Sequence, residues 1–469
     1  MSFIQKSGQV SSQSSIKVQS ELKLGSNKHT TEENMMGNTT RKRAILASAL
    51  LALTGLFASA LPAQAAEVGV TAKEIKLGIT SPLSGRAAAV YGKVPGAMNA
   101  YFQHVNANGG VYGRSIKLIS KDDAYLPTSA VTQTNQLILK DKVFAIVGAL
   151  GTANHLAALR STNLSGRGIP DLFVNTGFSG FADPAKYKTT FAVLPSYRME
   201  AKIMAKYIKD NLAGKKIALI VQDDDFGIDA AAGFTQAGLT FEKTIKFPAG
   251  KDTAADAQGW ITNTLKPANI DLAIIFATTS TTAAVLGTAA ALAYRPTNGW
   301  MLGSVGGDSN TLIAGKVPLA ILNGAIGFNF APDPQDATDE YVLEFKKIYE
   351  KYVPGSTFDL TVIQGMNTAM LTVQALRAAG TNLTRKGLIA AIKAKGSTFA
   401  HAGFTPLNYS NTSHVGYNGY WIGKYSATGA LLPIDGKRTI YTTDSGSGAV
   451  KEITSSRAKL PKDGLPTNK

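Results

Sequence analysis

Cysteine is absent from all 469 residues, which excludes disulfides, thiolate metal sites, a cysteine nucleophile and a lipid-modified cysteine at a processed N-terminus. Catalytic signatures are missing too. No G-x-S-x-G occurs, and Gly177-Phe178-Ser179-Gly180 lacks the spacing of a nucleophile elbow. Gly92-Lys93, Gly214-Lys215 and Gly315-Lys316 lack the following Ser or Thr of a Walker loop, and no G-x-G-x-x-G follows a strand pattern. Histidine is scarce: beyond residue 65 only His104, His155, His401 and His414 remain, and none forms H-E-x-x-H or a close pair. Asp223-Asp224-Asp225 lacks the Gly and closing Glu of a calcium loop and is expected to cap the following helix. No metal or cofactor is expected, and an exported hydrolase has no motif behind it.

Long apolar runs are equally rare. The single stretch of 18 residues, Ala44–Leu61, follows Arg41-Lys42-Arg43 and precedes Ala63-Gln64-Ala65, the small-x-small pattern of a signal-peptidase site. Residues 1–65 are therefore read as a leader with a signal peptide over 41–65, the mature chain starting at Ala66. An uncleaved anchor is the competing reading. A periplasmic or secreted location follows from cleavage. The remaining 404 residues are too many for one small core and suit two domains.

Lys+Arg exceed Asp+Glu by 48 to 32; without the 7 and 3 of the leader, the balance is +12. The lysines are scattered, with doublets such as Lys215-Lys216 and Lys346-Lys347 and nothing longer, so a solvated basic surface is expected and no nucleic-acid partner.

What is present is an alternation of apolar strands and amphipathic helices. Strands are expected at 75–79, 116–120, 143–147, 172–174, 217–221, 272–276 and 300–302, with helices between them, the pattern of parallel sheets wound by crossover helices. Val143-Phe144-Ala145-Ile146-Val147 and Leu272-Ala273-Ile274-Ile275-Phe276 are continuously apolar, as strands covered on both faces are. Val94, Ala97, Met98, Tyr101, Phe102 and Val105 share one helical face, which stops at Asn108-Gly109-Gly110. Two further helices are marked by Val342, Phe345, Ile348 and Tyr349, and by Met366, Ala369, Met370, Val373 and Leu376. After Gly403 short pieces rich in Tyr, Gly, Asn and Ser predict antiparallel strands or a wrapping segment, and the tail from about Thr442 is expected to fray.

An ordered set of motifs carries a resemblance. Ile75-Lys76-Leu77-Gly78-Ile79 leads to Pro82-Leu83-Ser84-Gly85 and Tyr91-Gly92; Asn106 to Arg114 reads NANGGVYGR; Lys121-Asp122-Asp123 follows; then Val147-Gly148 with Gly151-Thr152, and Gln222-Asp223-Asp224-Asp225-Phe226-Gly227. In this order and spacing the chain resembles the periplasmic solute-binding proteins of the branched-chain amino acid type, which serve ABC importers. The resemblance implies an α/β fold of two Rossmann-like lobes with parallel sheets joined by three crossovers, the type I periplasmic binding fold. Crossovers are placed near 194–197, 327–330 and 404–408, giving lobe one as 66–195 plus 328–405, lobe two as 196–327 plus 406–441, and a tail over 442–469. It implies a small-molecule ligand, ABC permease subunits as partners, and a monomer. A sensor that presents the solute to a receptor would have the same sequence features.

Ligands of open parallel sheets sit beyond the carboxyl ends of strands. Gly148 to Asn154 forms such a turn, so Leu150 and Gly151 are expected to let a ligand approach the backbone and Thr152 to donate its hydroxyl at a helix N-terminus. The resemblance adds Thr176 and Phe178 after the next strand, Phe226 from the second lobe, and a carboxylate on Thr152. Thr278 follows the strand at Leu272 in the same manner, while Tyr91, Tyr197 and Asn329 map near the opening or hinge. Many amino-acid binders of the family grip the ligand ammonium with an acid in the stretch that here reads Gly303-Ser304-Val305-Gly306-Gly307-Asp308. Val305 stands nearest that position and Asp308 three residues late, which favours an aromatic or aliphatic acid, or an amide, over a branched-chain amino acid.

Overall fold

The computed structural model describes residues 67–467, with 252 and 444–445 left out. The proposed leader, its cleavage site and Ala66 lie outside the described residues. Among the described residues no helix is long and apolar enough to cross a membrane.

Two sheets organise the chain. The first has the order β2-β1-β3-β4-β5 and is parallel throughout. It comprises β1 (Glu74–Ser81), β2 (Ser115–Asp122), β3 (Ala145–Val147), β4 (Asp171–Val174) and β5 (Thr190–Ala192). Between them run α1 (Ala88–Tyr91), α2 (Val94–Ala107), α3 (Pro127–Leu139) and α4 (Thr152–Thr162). α2 stops at Asn108 where Gly109 and Gly110 turn to positive φ, as the sequence predicts. β3 is three residues, shorter than the apolar run at Val143; Ala145 and Ile146 pair with β1, and Ile146 and Val147 with β4.

From β5 the chain enters α5 (Tyr197–Asn211) and the second sheet: β6 (Ile217–Gln222), α6 (Asp225–Gln236), β7 (Lys243–Phe247), α7 (Ala254–Trp260), β8 (Leu272–Phe276), α8 (Thr279–Ala291), β9 (Trp300–Leu302), α9 (Ser309–Ala314), α10 (Leu319–Leu322) and β10 (Ile326–Asn329). β7, β6, β8, β9 and β10 are parallel neighbours. The chain then returns to the first lobe as α11 (Glu340–Tyr352), α12 (Leu360–Ala378) and α13 (Arg385–Lys395), with α11 and α12 packed on α2. It re-enters the second sheet as β11 (Tyr420–Tyr425), β12 (Leu431–Pro433), β13 (Ile440–Thr442) and β14 (Lys451–Ile453), all antiparallel to their neighbours. Asn329 sits where the chain leaves β10; its Oδ1 accepts Phe330 N at 2.8 Å and Ala331 N at 3.1 Å, fixing that turn.

Before the tail, three strands escape the sequence reading. β5 is three residues long, β10 falls where the resemblance puts a crossover, and β7 is an edge strand whose Lys243, Thr244 and Lys246 are exposed. The tail is also different from the expectation. Residues 446–467 are packed: β14 pairs with β13, Arg457 forms a two-pronged ion pair with Asp339 and stacks over Tyr341 at 4.2 Å, and the Tyr101 hydroxyl reaches Gly464 O at 2.5 Å. The tail therefore runs from the second sheet onto α11 and α2 of the first lobe, anchored by polar contacts that composition does not reveal.

Candidate ligand-binding site

Where β1, β3 and β4 of lobe one face β6, β8 and β9 of lobe two across their carboxyl ends, a small cavity lies between the walls. Lobe one lines it with Tyr91, Tyr125, Leu150, Gly151, Thr152 and Asn175; lobe two with Tyr197, Phe226, Thr278, Ser304, Val305 and Asp308. Leu194 and Phe330, at two of the places where the chain passes between lobes, complete the wall with the start of α12.

The lobe-one wall is set by backbone. Gly151 has φ +94°, and a Cβ there would lie 2.9 Å from the Tyr125 ring, so a side chain is doubly excluded. Gly151 is also the N-cap of α4 and offers no side-chain cap. The N-terminus of α4, the positive end of its dipole, thus adjoins the cavity at Gly151 and Thr152. Thr152 Oγ1 lies 2.7 Å from Thr176 Oγ1, which holds the Thr152 hydroxyl in place; Thr176 itself is one layer behind the cavity surface.

Lobe two contributes rings and carbonyls. Phe226 packs edge-on against Tyr197, centroids 4.6 Å apart, and against Phe276 at 5.1 Å. Asp224 Oδ1 accepts Phe226 N at 3.0 Å and so caps α6, the role expected for the Asp triplet. Val305 O accepts the Tyr91 hydroxyl at 3.2 Å from across the cleft and the Thr279 hydroxyl at 2.9 Å. Burial pushes the Tyr91 phenol up to about 12, so it stays a donor. Behind the floor, fully buried Glu200 accepts Ser304 N at 2.5 Å and Ser304 Oγ at 3.0 Å. Burial pushes this carboxyl up to about 7.

Asp308 is the one charged residue in the lining. Its Oδ2 accepts Thr311 Oγ1 at 2.8 Å and, from the other lobe, Leu360 N at 3.1 Å. The acid that the sequence reading places three residues late does reach the cavity, but with its carboxylate already engaged.

Of the residues singled out from sequence, Tyr91, Leu150, Gly151, Thr152, Tyr197, Phe226 and Thr278 come together on the cavity, with Thr176 supporting Thr152. Phe178 does not line it. Its ring packs on Phe181 at 5.4 Å, beside Leu156 and Val174, and the next residue, Ser179, bonds across to lobe two. Leu360, Thr361 and Gln364 are missed by the sequence reading: they lie on α12, roughly 200 residues from Thr152, inside a helix whose composition signals only core. Tyr125 and Asn175 adjoin strand ends the reading does identify, so strand-end proximity was a usable signal for them.

Comparisons with known proteins agree with this architecture. The chain is 24% identical over 369 residues to Leu/Ile/Val-binding protein homolog 7 of Brucella suis biovar 1 (strain 1330), spanning 76% of this chain and 88% of the relative. Its fold is similar to that of a branched-chain amino acid ABC transporter protein from Thermus thermophilus with bound valine, at TM-score 0.68, 18% identity, and coverage of 80% of this chain and 98% of that one. It is also similar to a solute-binding protein of an ABC transporter from Rhodopseudomonas palustris BisB5 in complex with 3,4-dihydroxybenzoic acid, at TM-score 0.62, 20% identity, and coverage of 81% and 98%. The family model described as periplasmic binding protein matches residues 74–430. With two wound lobes meeting at strand ends and a match over most of its length, this chain belongs to the periplasmic binding protein family.

Proposed function

We propose that this chain is the extracytoplasmic substrate-binding component of an ABC importer and that its solute is a small carboxylate without an α-ammonium group. The carrying observation is the uncapped N-terminus of α4, with Thr152 braced by Thr176, opening into a cavity shared by both lobes. Such a terminus favours an anion. A buried ammonium would need an acid of its own. Here the single lining acid is engaged by Leu360 and Thr311, and Val305 presents a methyl-bearing side chain and a carbonyl already taken by two hydroxyls. Tyr91, Tyr125, Tyr197, Phe226 and Phe330 surround the remainder, which suits an aromatic or aliphatic body. The same arrangement supports binding over catalysis: no lining hydroxyl bonds a histidine, and His155, on α4 but outside the lining, pairs with Asp171 at 2.7 Å.

A thermal-shift screen with benzoates, short fatty acids, amino acids and amides tests the reading. A ligand at 100 times its dissociation constant adds about 2.7 kcal/mol, so an aromatic or aliphatic acid should raise the melting temperature where L-valine does not. Thr152→Val should weaken that acid about ten- to a hundredfold, the loss of a hydrogen bond to a charged group. A response confined to amino acids, or one untouched by Thr152→Val, contradicts the proposal.

A further inference from the structure

We infer that Asp229 and Asp308, two carboxylates of lobe two, act as latches that hold the cleft shut by taking backbone amides of lobe one. The inference rests on the two lobes closing around a solute. Asp229 stands on α6, three residues after Phe226, and is 2% exposed. Its Oδ2 accepts Ser179 N at 2.8 Å and its Oδ1 accepts Ser179 Oγ at 2.5 Å, both from lobe one, while Arg198 of its own lobe donates to Oδ1 at 3.0 Å. Asp308 repeats the arrangement beside the other wall of the cavity. It caps its own α9 through Thr311 and also takes Leu360 N, the first amide of the 19-residue α12. That amide has no partner within its helix. Asp359, the N-cap of α12, accepts Val362 N at 2.9 Å, Lys93 Nζ at 2.6 Å and, more distantly, Thr311 Oγ1 at 3.4 Å from lobe two. Asn310 Nδ2 adds a bond to Phe358 O at 2.9 Å.

Each latch pairs a buried carboxylate with an amide that only the other lobe supplies. Parting the lobes would break both sets of bonds at once and return the groups to water. These bonds form only in the closed arrangement, so they favour it selectively. The strong bonds of both acids go to protein groups, which is consistent with latching in preference to ligand contact.

The absence of cysteine allows a clean test. Dyes on Lys117→Cys and Lys243→Cys, exposed positions on the outer strands of the two sheets, report lobe closure by single-molecule energy transfer, without solute and with benzoate or L-valine as probe. The wild-type chain should show a closed population that Asp229→Ala and Asp308→Ala each lower about tenfold, equivalent to ~1.4 kcal/mol. Melting temperatures report whether each variant is folded, and Asp229→Asn and Asp308→Asn, which keep side-chain volume, should show a smaller loss. Unchanged closure in both alanine variants, or in both asparagine variants should the alanine ones not fold, overturns the latches while leaving the two-lobed trap intact. A wild-type chain that never closes overturns the trap itself and the latches with it.

Discussion

Asp308 faces Asp359 and, through it, Lys93; Asp333 and the phenols of Tyr91 and Tyr425 complete its charged and titratable surroundings. Burial first, then the Asp359 carboxylate, pushes Asp308 up to about 7 in the closed arrangement. Exposed to water in an open cleft it would return toward the ordinary value of about 3.9. A group whose value rises on closing takes up a proton, so closure gains most below the lower value and loses the gain as pH rises through about 7. Protonation at Oδ1, which holds only a 3.5 Å contact from Thr311 N, leaves Oδ2 free to keep accepting Leu360 N. Solute affinity should therefore be severalfold higher at pH 6 than at pH 8, and Asp308→Asn should flatten that dependence; titration calorimetry at the two pH values measures both. Thr152 and Gly151 were readable because turn, glycine and hydroxyl are contiguous. The engagement of Asp308 was not, since its partner Leu360 lies 52 positions away on a different lobe.

Among the helices that start at the cavity, the caps divide them. α5, α6 and α12 are capped by Ser196, Asp224 and Asp359, whereas α4 and α8 have no side-chain cap. Thr278, N-cap of α8, is 8% exposed and its hydroxyl has no hydrogen-bond partner among the described residues, so this second open terminus can serve the solute as well. At the start of α6, Gly227 is held against the preceding strand: a Cβ would lie 1.8 Å from Gln222 O. Alanine in a helix ordinarily stabilises by about 0.5–1 kcal/mol over glycine. Here Gly227→Ala should do the opposite, lowering the melting temperature and weakening solute binding through displacement of Phe226, both seen in one thermal titration. The continuously apolar central strands were plain, whereas β7, with three exposed positions out of five, looked like any charged loop, and the buried β5 and β10 were too short to show a period.

At the scale of the molecule, parallel alternation and the ordered motifs were enough to anticipate two wound sheets, because a strand-helix repeat has few ways to bury its apolar faces. The packed tail was hidden, since Arg457 gains meaning only when it is brought back onto Tyr341 and onto Asp339, 118 positions earlier. Lobe-to-lobe bonds at Tyr91–Val305, Ser179–Asp229 and Asp308–Leu360 surround the cavity, so a solute that touches both walls should favour the arrangement in which they form. Small-angle scattering, with and without an acid that raises the melting temperature, measures this most directly. The account predicts a smaller radius of gyration with the acid bound; an unchanged or larger radius, with binding verified in the same sample, would contradict it.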